Sequence, residues 1–237
     1  MRRVGAALLV AAAVFAPGAA AATGLSVSPL RLALVGASRA TLIVGNPSGR
    51  TLYVDVGPAG FARTLRGRPR VQAAHGAAGW LSVRPRRLRL APHAKATLRL
   101  TVRPPANARP GDHPALVLLS TRQPGERRVR VLLRVGIVVL LRVPGKIVRR
   151  LQPQKLSVRR RGRIRVFDLR LANRGNVTER PRPRLELWRH GRKLAVLHGR
   201  RLDLLPHSAG IAQFAYRGSV RGAVIARIMA RSFRLRL

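Results

Sequence analysis

The side chains that could perform chemistry are few and far apart. Of the six histidines, His75, His93, His113, His190, His198 and His207, none stands from another at a ligand-like spacing such as His-x-x-x-His. His93 follows Pro92 and His190 precedes Gly191, so both read as turn residues. Acid–base catalysis by paired carboxylates needs two acids in one cleft. The seven Asp and Glu are scattered, and the expected role of Asp55, Asp168 and Glu186, each inside a strand-like stretch, is to offset nearby arginines. No Gly-x-Ser-x-Gly elbow and no phosphate-binding glycine loop occurs. With no cysteine in the chain, thiol catalysis and cysteine metal sites are excluded. Asn176-Val177-Thr178 matches a glycosylation acceptor, which we read as chance. Trp80 and Trp188 could stack on sugar rings, but as single aromatics in strand contexts they read as core residues. The expectation is a protein that is not an enzyme, with no catalytic residue, no metal site and no cofactor.

The abundant functional group is guanidinium. The formal net charge is +41, from 48 Lys and Arg against 7 Asp and Glu, and the lysines are only Lys95, Lys146, Lys155 and Lys193. Such a field attracts polyanions, and phosphate neutralisation by basic residues is the root of non-specific nucleic-acid binding. Nucleic-acid modules, however, interleave aromatics with basic residues on one face. Here arginine alternates with aliphatics, and aromatics make up 4% of the chain. Arginine therefore reads as the default solvent-facing residue, and no specific nucleic-acid partner is expected. Anionic wall polymers or lipid headgroups are the polyanions a bacterial surface would present.

These residues must be positioned by strands. In Trp80 to Thr121, Leu88 and Leu90 alternate with Arg87 and Arg89; after a turn over Ala91 to Ala94, Ala96, Leu98, Leu100 and Val102 alternate with Thr97, Arg99, Thr101 and Arg103. A period of two is that of a half-buried strand. Ser26 to Leu34 reads as one strand leading to a turn at Gly36. Arg39 to Val44 and Thr51 to Val56 read as a hairpin closed by Asn46-Pro47-Ser48-Gly49. Phe61 to Gly79 has no period and reads as a long surface loop. Arg128 to Val143 is apolar on one face throughout and on the other at Leu132, Val138 and Leu140, as a central or covered strand would be, with Gly136 marking a bulge or a change of partner.

Pro144-Gly145-Lys146 reads as a boundary. Beyond it a second series follows: Leu156 to Val158, Ile164 to Leu171 with a bulge near Val166, a turn at Asn173-Arg174-Gly175, a hairpin of Leu185 to Trp188 and Leu194 to Leu197 with His190-Gly191 at its tip, then Leu202 to Leu205, Ile211 to Tyr216, Ala223 to Met229 and Phe233 to Leu237. About seven strands at roughly ten-residue spacing indicate a sandwich. A chain of 237 residues accommodates two such units of roughly 100 residues each. Residues 1–22 read as a secretory signal peptide, with Arg2-Arg3, an apolar centre over Val4 to Ala16, and Ala20 to Ala22 before the cleavage site. The fold class is accordingly all-β: two tandem immunoglobulin-like β-sandwiches, 23–145 and 146–237, after a cleaved signal peptide. No transmembrane segment is expected in the mature chain.

Leu25 to Gly145 resembles the immunoglobulin-like N-terminal domain of pilus-assembly chaperones (PapD-like) and of bacterial cell-surface proteins described as WxL-interacting, peptidoglycan-binding. The matching features are Ser28-Pro29 before the first strand, Asn46 closing the second, Trp80, Val102-Arg103-Pro104-Pro105 at a strand end, Ala108 to Gly111 before the next strand, and the long final strand closed by Pro144-Gly145. Pilus chaperones are similar in anchoring a subunit's terminal carboxylate through an Arg on the first strand and a Lys on the last, while the last strand completes the subunit's sheet. Arg31, five residues before Gly36, matches that Arg. Gly136 and Ile137 stand at the start of the final apolar run, and the nearest basic residue is Arg134. The resemblance thus implies ligand-binding roles for Arg31, Arg134 and Ile137.

The main expectation is a non-enzymatic, exported bacterial cell-surface binding or scaffold protein that engages cell-wall polymer or a partner protein. It would be extracellular, wall-associated or periplasmic. The alternatives are a periplasmic pilus-type chaperone acting by strand donation and a binder of anionic polymer or nucleic acid.

Overall fold

The computed structural model describes residues 24–122, 133–218, 222–229 and 231–236; the signal-peptide reading lies outside them. In the first part of the chain the strands are β1 (Ser26–Ser28), β2 (Arg31–Val35), β3 (Ser38–Gly45), β4 (Leu52–Arg63), β5 (Pro69–Gln72), β6 (Leu81–Arg84), β7 (Arg87–Leu90), β8 (Lys95–Val102), β9 (Gly111–Arg122) and β10 (Arg134–Val143), with a 3-10 turn at Gly76–Trp80. One sheet has the order β1-β3-β8-β6. The other runs β2-β10-β9-β4-β5, with β7 also on β4. Alternation puts Leu42, Val44, Leu98, Leu100 and Val102 of the first sheet against Val54, Val56, Val117, Leu119, Ile137, Val139 and Leu141 of the second, all buried in one core.

Three local expectations are corrected here. Ser26 to Leu34 is two strands: β1 pairs antiparallel with β3, and beyond Pro29 the chain crosses to the other sheet, where β2 runs parallel to β10. Arg39–Val44 and Thr51–Val56 do not form a hairpin, because β3 and β4 belong to opposite sheets. Asn46, 2% exposed, holds the crossing: its Nδ2 donates to the carbonyls of Arg50, Leu90 and Ala91, and its Oδ1 accepts from the backbone N–H and hydroxyl of Ser48. Phe61 to Gly79 is not a long loop. β4 continues through Arg63 and turns back as β5, pairing Gly60 with Gln72 and Arg63 with Pro69. Backbone pairing overrides the missing side-chain period there, because β5 is exposed at every position.

The second sandwich comprises β11 (Leu151–Arg161), β12 (Ile164–Asn173), β13 (Arg184–Arg189), β14 (Arg192–His198), β15 (Ala209–Tyr216), β16 (Ala223–Ile228) and β17 (Arg231–Arg236). Its sheets are β11-β12-β15 and β14-β13-β16-β17, closing on a separate core that includes Phe167, Leu169, Leu171, Leu185, Leu187, Phe214 and Ile228. The β13–β14 hairpin turns at His190 and Gly191, with φ of 45° and 75°, the left-handed pair that two-residue hairpins favour. The expected bulge near Val166 is absent. The register instead shifts on the neighbouring strand, between Pro153 and Lys155. Leu202 to Leu205 contributes only an isolated bridge from Leu204 to Glu179. Trp188 is not a core residue: Leu185 and Leu187 face inward, while Trp188 lies on the outer face between Arg227 and Lys193, 4.5 and 5.1 Å from its ring centre. Trp80 does pack against the first core.

The sandwiches touch through the outer face of the β2-β10-β9-β4 sheet. Ala59, Phe61, Leu116 and Leu140 on that face cluster with Leu205 of the second unit, which explains why β10 is apolar on both sides. Around this contact the linker region is closely bonded. Asn176 donates from Nδ2 to the carbonyls of Pro110 and Lys146 and accepts from the Val148 N–H at Oδ1. The Asp112 N–H reaches the Asn176 carbonyl at 2.7 Å. A Cβ at Gly111 would lie 2.2 Å from that oxygen, so only glycine permits the approach.

Candidate functional site

β10 has two different edges. β9 pairs with it from Arg134 to Val143 in continuous register, so no bulge occurs at Gly136. On its other side β2 begins only at Arg31, opposite Val138, and the Val138 N–H donates to the Leu30 carbonyl. Successive residues direct their backbone groups to opposite edges. The N–H and C=O of Arg134 and Gly136 therefore point to the β2 side, and no strand among the described residues pairs with them there. The first half of β10 is an open edge that ends where β2 starts.

The expected site residues sit on this strand and its neighbour as follows. Ile137, Val139 and Leu141 face the first core, and Ile137 is 0% exposed. Its side chain is a core group, although its backbone lies within the half-paired stretch. Arg134, Gly136, Val138 and Leu140 face outward, toward the second sandwich. Arg31 shares that face, level with Val138. Arg134, four residues away along the strand, is about 13 Å from that level. The structure thus brings Arg31 and Arg134 to one face without direct contact, and turns Ile137 to the other.

Sequence reasoning missed the carboxylate that organises the cleft. Asp203, in the segment before β15, receives Arg31 at 3.8 Å, Arg63 at 3.2 Å and Arg180 at 3.2 Å. Burial, and then the neighbouring Arg180, lower the pKa of Arg31 from its ordinary value, with Arg63 and Arg201 acting in the same direction and Asp203 opposing them. Three guanidiniums on one carboxylate leave a surplus of positive charge at the mouth of the cleft, which suits an incoming carboxylate. Arg63 also donates to the Gly67 carbonyl and lies over the Phe61 ring. Its Nε is buried without a hydrogen-bond partner. No sequence signal isolates Arg63 or Arg180 among so many arginines. Asp203 was the one available clue, since only seven acids occur.

A second acid, Asp112, lines a cleft that Arg180 also borders. Burial would raise its pKa, but the Arg142 guanidinium at 2.7 and 3.1 Å and the Thr178 N–H at 2.7 Å prevail and hold it below the usual carboxylate range. The hydrogen bond from Arg142 to Asp112 in turn raises the pKa of that arginine. The space between β2, β10 and residues 178–181 is a cleft of about 570 Å³, with Asp112, Arg142, Arg149 and Glu179 around it. Asp55, Asp168 and Glu186 lie 3.8, 3.0 and 2.8 Å from Arg87, Arg159 and Arg184, the offsetting role expected of them. Among the described residues no group of three or more His, Asp or Glu is placed to hold a metal, and no helix is long and apolar enough to cross a membrane.

No family model matches the sequence, and no curated protein does. Solved structures do match. One is a chain of the chaperone–tip adhesin complex of CFA/I fimbriae biogenesis, with 12% identity and a TM-score of 0.51 over 90% of this chain and 98% of that one. The YadV chaperone likewise has 12% identity and a TM-score of 0.51, over 90% and 99% of the two chains. These likenesses bear on fold: the chain has the two-sandwich, PapD-like immunoglobulin architecture seen in pilus chaperones. Neither match connects it with wall-polymer binding.

Proposed function

We propose that the protein is a non-enzymatic, exported chaperone-type binding protein that takes an extended segment of a partner protein as an added strand on the open edge of β10. The observation that carries this reading is the geometry of that edge. The backbone groups of Arg134 and Gly136, unpaired among the described residues, run directly up to Arg31, where the Asp203 cluster supplies surplus positive charge. A segment seated there with its terminal carboxylate at Arg31 runs in the same direction as β10, in line with β2. Backbone hydrogen bonds would supply affinity, and the partly buried apolar face at Val138 and at Leu118, opposite Gly136, would receive alternate side chains. In this reading Arg31 anchors the segment, Arg134 flanks its entry, and Ile137 keeps the receiving strand in place from the core side. The partner is a surface-directed protein, and the arginine-rich outer faces serve as solvent cover.

The test is recovery of a 1:1 complex from the native cell envelope with the wild type, Gly136→Pro and Arg31→Glu. Proline at 136 removes the N–H that faces the open edge, and its Cβ meets only Leu116 carbons at 3.5 Å. Both variants should keep the wild-type fold and lose the partner. Undiminished recovery with either variant would refute the reading.

A further inference from the structure

The tip of the β4–β5 hairpin crosses to the second sandwich, where the Ile211 N–H of β15 donates to the Leu65 carbonyl at 2.7 Å. Beneath this crossing is a cleft of about 450 Å³, with Arg63 and Arg70 on one wall and Arg170, Arg174 and Gln154 on the other. That volume is in the range of small-molecule sites. At Asp203 the converging arginines share a carboxylate. Here they converge from both sandwiches, and no Asp or Glu lines the space. Asp203 pairs with Arg63, but Arg70, Arg170 and Arg174 form no ion pair among the described residues. Gathering like charges costs energy unless an anion offsets it.

A second, independent feature points the same way. The register shift in β11 falls between Pro153 and Lys155, leaving Gln154 without a cross-strand partner. A bulge of this kind re-aims a side chain, and Gln154 borders the cleft. We propose that this cleft is an oxyanion site for a phosphate group, held by Arg70, Arg170 and Arg174 with Gln154 as a neutral donor. A phosphate, with up to four oxygens and as many as two charges, offers acceptors to three guanidiniums from two segments and to the Gln154 amide at once. Bridging a hairpin of one sandwich and a sheet of the other, the bound group would also tie the two units together. Arg70, Arg170, Arg174 and Gln154 are all distinct from the residues assigned to strand addition at β10.

The experiment is calorimetric titration of the full mature chain with inorganic pyrophosphate at physiological salt. It compares wild type, Arg170→Gln with Arg174→Gln, Arg70→Gln, and a control pair, Arg39→Gln with Arg99→Gln, on the outer face of the β3–β8 ladder. All the replaced side chains are exposed, so the cores stay intact. The expected result is one saturable site per chain, weakened about tenfold or more by the first pair and also by Arg70→Gln, and unchanged by the control pair. Equal weakening by test and control pairs, or no saturable site for any phosphate probe, would overturn the proposal. A parallel arm with phosphatidylglycerol vesicles separates sources. Vesicle binding lost selectively with Arg170→Gln and Arg174→Gln assigns the phosphate to a lipid headgroup, and response to pyrophosphate alone assigns it to a soluble ligand.

Discussion

Two asparagines perform the same task in the two sandwiches. Asn173 is fully buried; its Nδ2 donates to the carbonyls of Val177, Leu204 and Leu205, and its Oδ1 accepts from the Gly175 N–H. Asn46 does likewise where the first chain crossing occurs. One amide thus ties together carbonyls of separate segments. Replacing Asn173 by Ala should cost about 2–4 kcal/mol in denaturant unfolding, the scale of several buried groups losing partners. Asn173→Asp should cost more, because a carboxylate cannot donate and would face three carbonyls; equal stability of Asp and Asn would contradict this. Asp112 supplies the pH-dependent counterpart. Its pKa is depressed in the folded chain, so its contribution is fully present above the unfolded value of about 3.9 and is lost as pH falls through the lower folded value. At pH 7, Asp112→Asn should be less stable than wild type by about 2 kcal/mol, and the gap should narrow steadily below about pH 4. A gap independent of pH would show that the carboxylate charge is not what Arg142 and Thr178 hold.

β10 carries the functional argument at the scale of elements. Its two faces and two edges have separate duties: the Ile137 face completes a core, the Val138 face meets the second sandwich, one edge pairs with β9, and half of the other is open. Ile137→Asp therefore tests folding; by urea unfolding it should lose more than about 4 kcal/mol, as a charge placed in an apolar core does. Gly136→Pro should stay within about 1 kcal/mol of wild type, since the N–H it removes faces the open edge and has no partner among the described residues. A collapse of Gly136→Pro stability would mean that this edge is already paired. The strand itself was legible in the sequence, because period-two alternation from Val135 to Val143 persists on one face whatever covers the other. Its open half was not, since edge pairing depends on where β2 starts, and nothing in Leu30-Arg31 states which strand they join. Hairpin expectations failed where adjacent strands lie in opposite sheets, as at Asn46, because a four-residue turn cluster serves equally for a sheet crossing. β5 went unseen because strand formation there rests on backbone pairing with β4.

At the scale of the whole molecule, the charge of +41 and the strand-addition edge make different demands on salt. Attraction of a polyanion to the arginine faces should fall steeply with ionic strength. A partner held by backbone hydrogen bonds and apolar contact should remain bound at about 1 M NaCl, where the Debye length is about 3 Å; loss of the envelope complex by then would assign it to charge alone. The two sandwiches were legible from strand count and spacing; of the two resemblances, the chaperone-like fold has structural likenesses, and neither of them bears on the wall-protein one. The Asp203 cluster was not legible, because Asp203, Arg63, Arg180 and Arg31 come from four distant segments that meet only where the two sandwiches dock. The central claim is tested most directly by amide hydrogen exchange along β10, in the free protein and in its envelope complex. Arg134 and Gly136 should exchange rapidly in the free protein and become protected in the complex, while Val135 and Ile137, bonded toward β9, stay protected in both. Protection of Arg134 and Gly136 in the free protein, or continued rapid exchange once the complex has formed, would contradict strand addition at this edge.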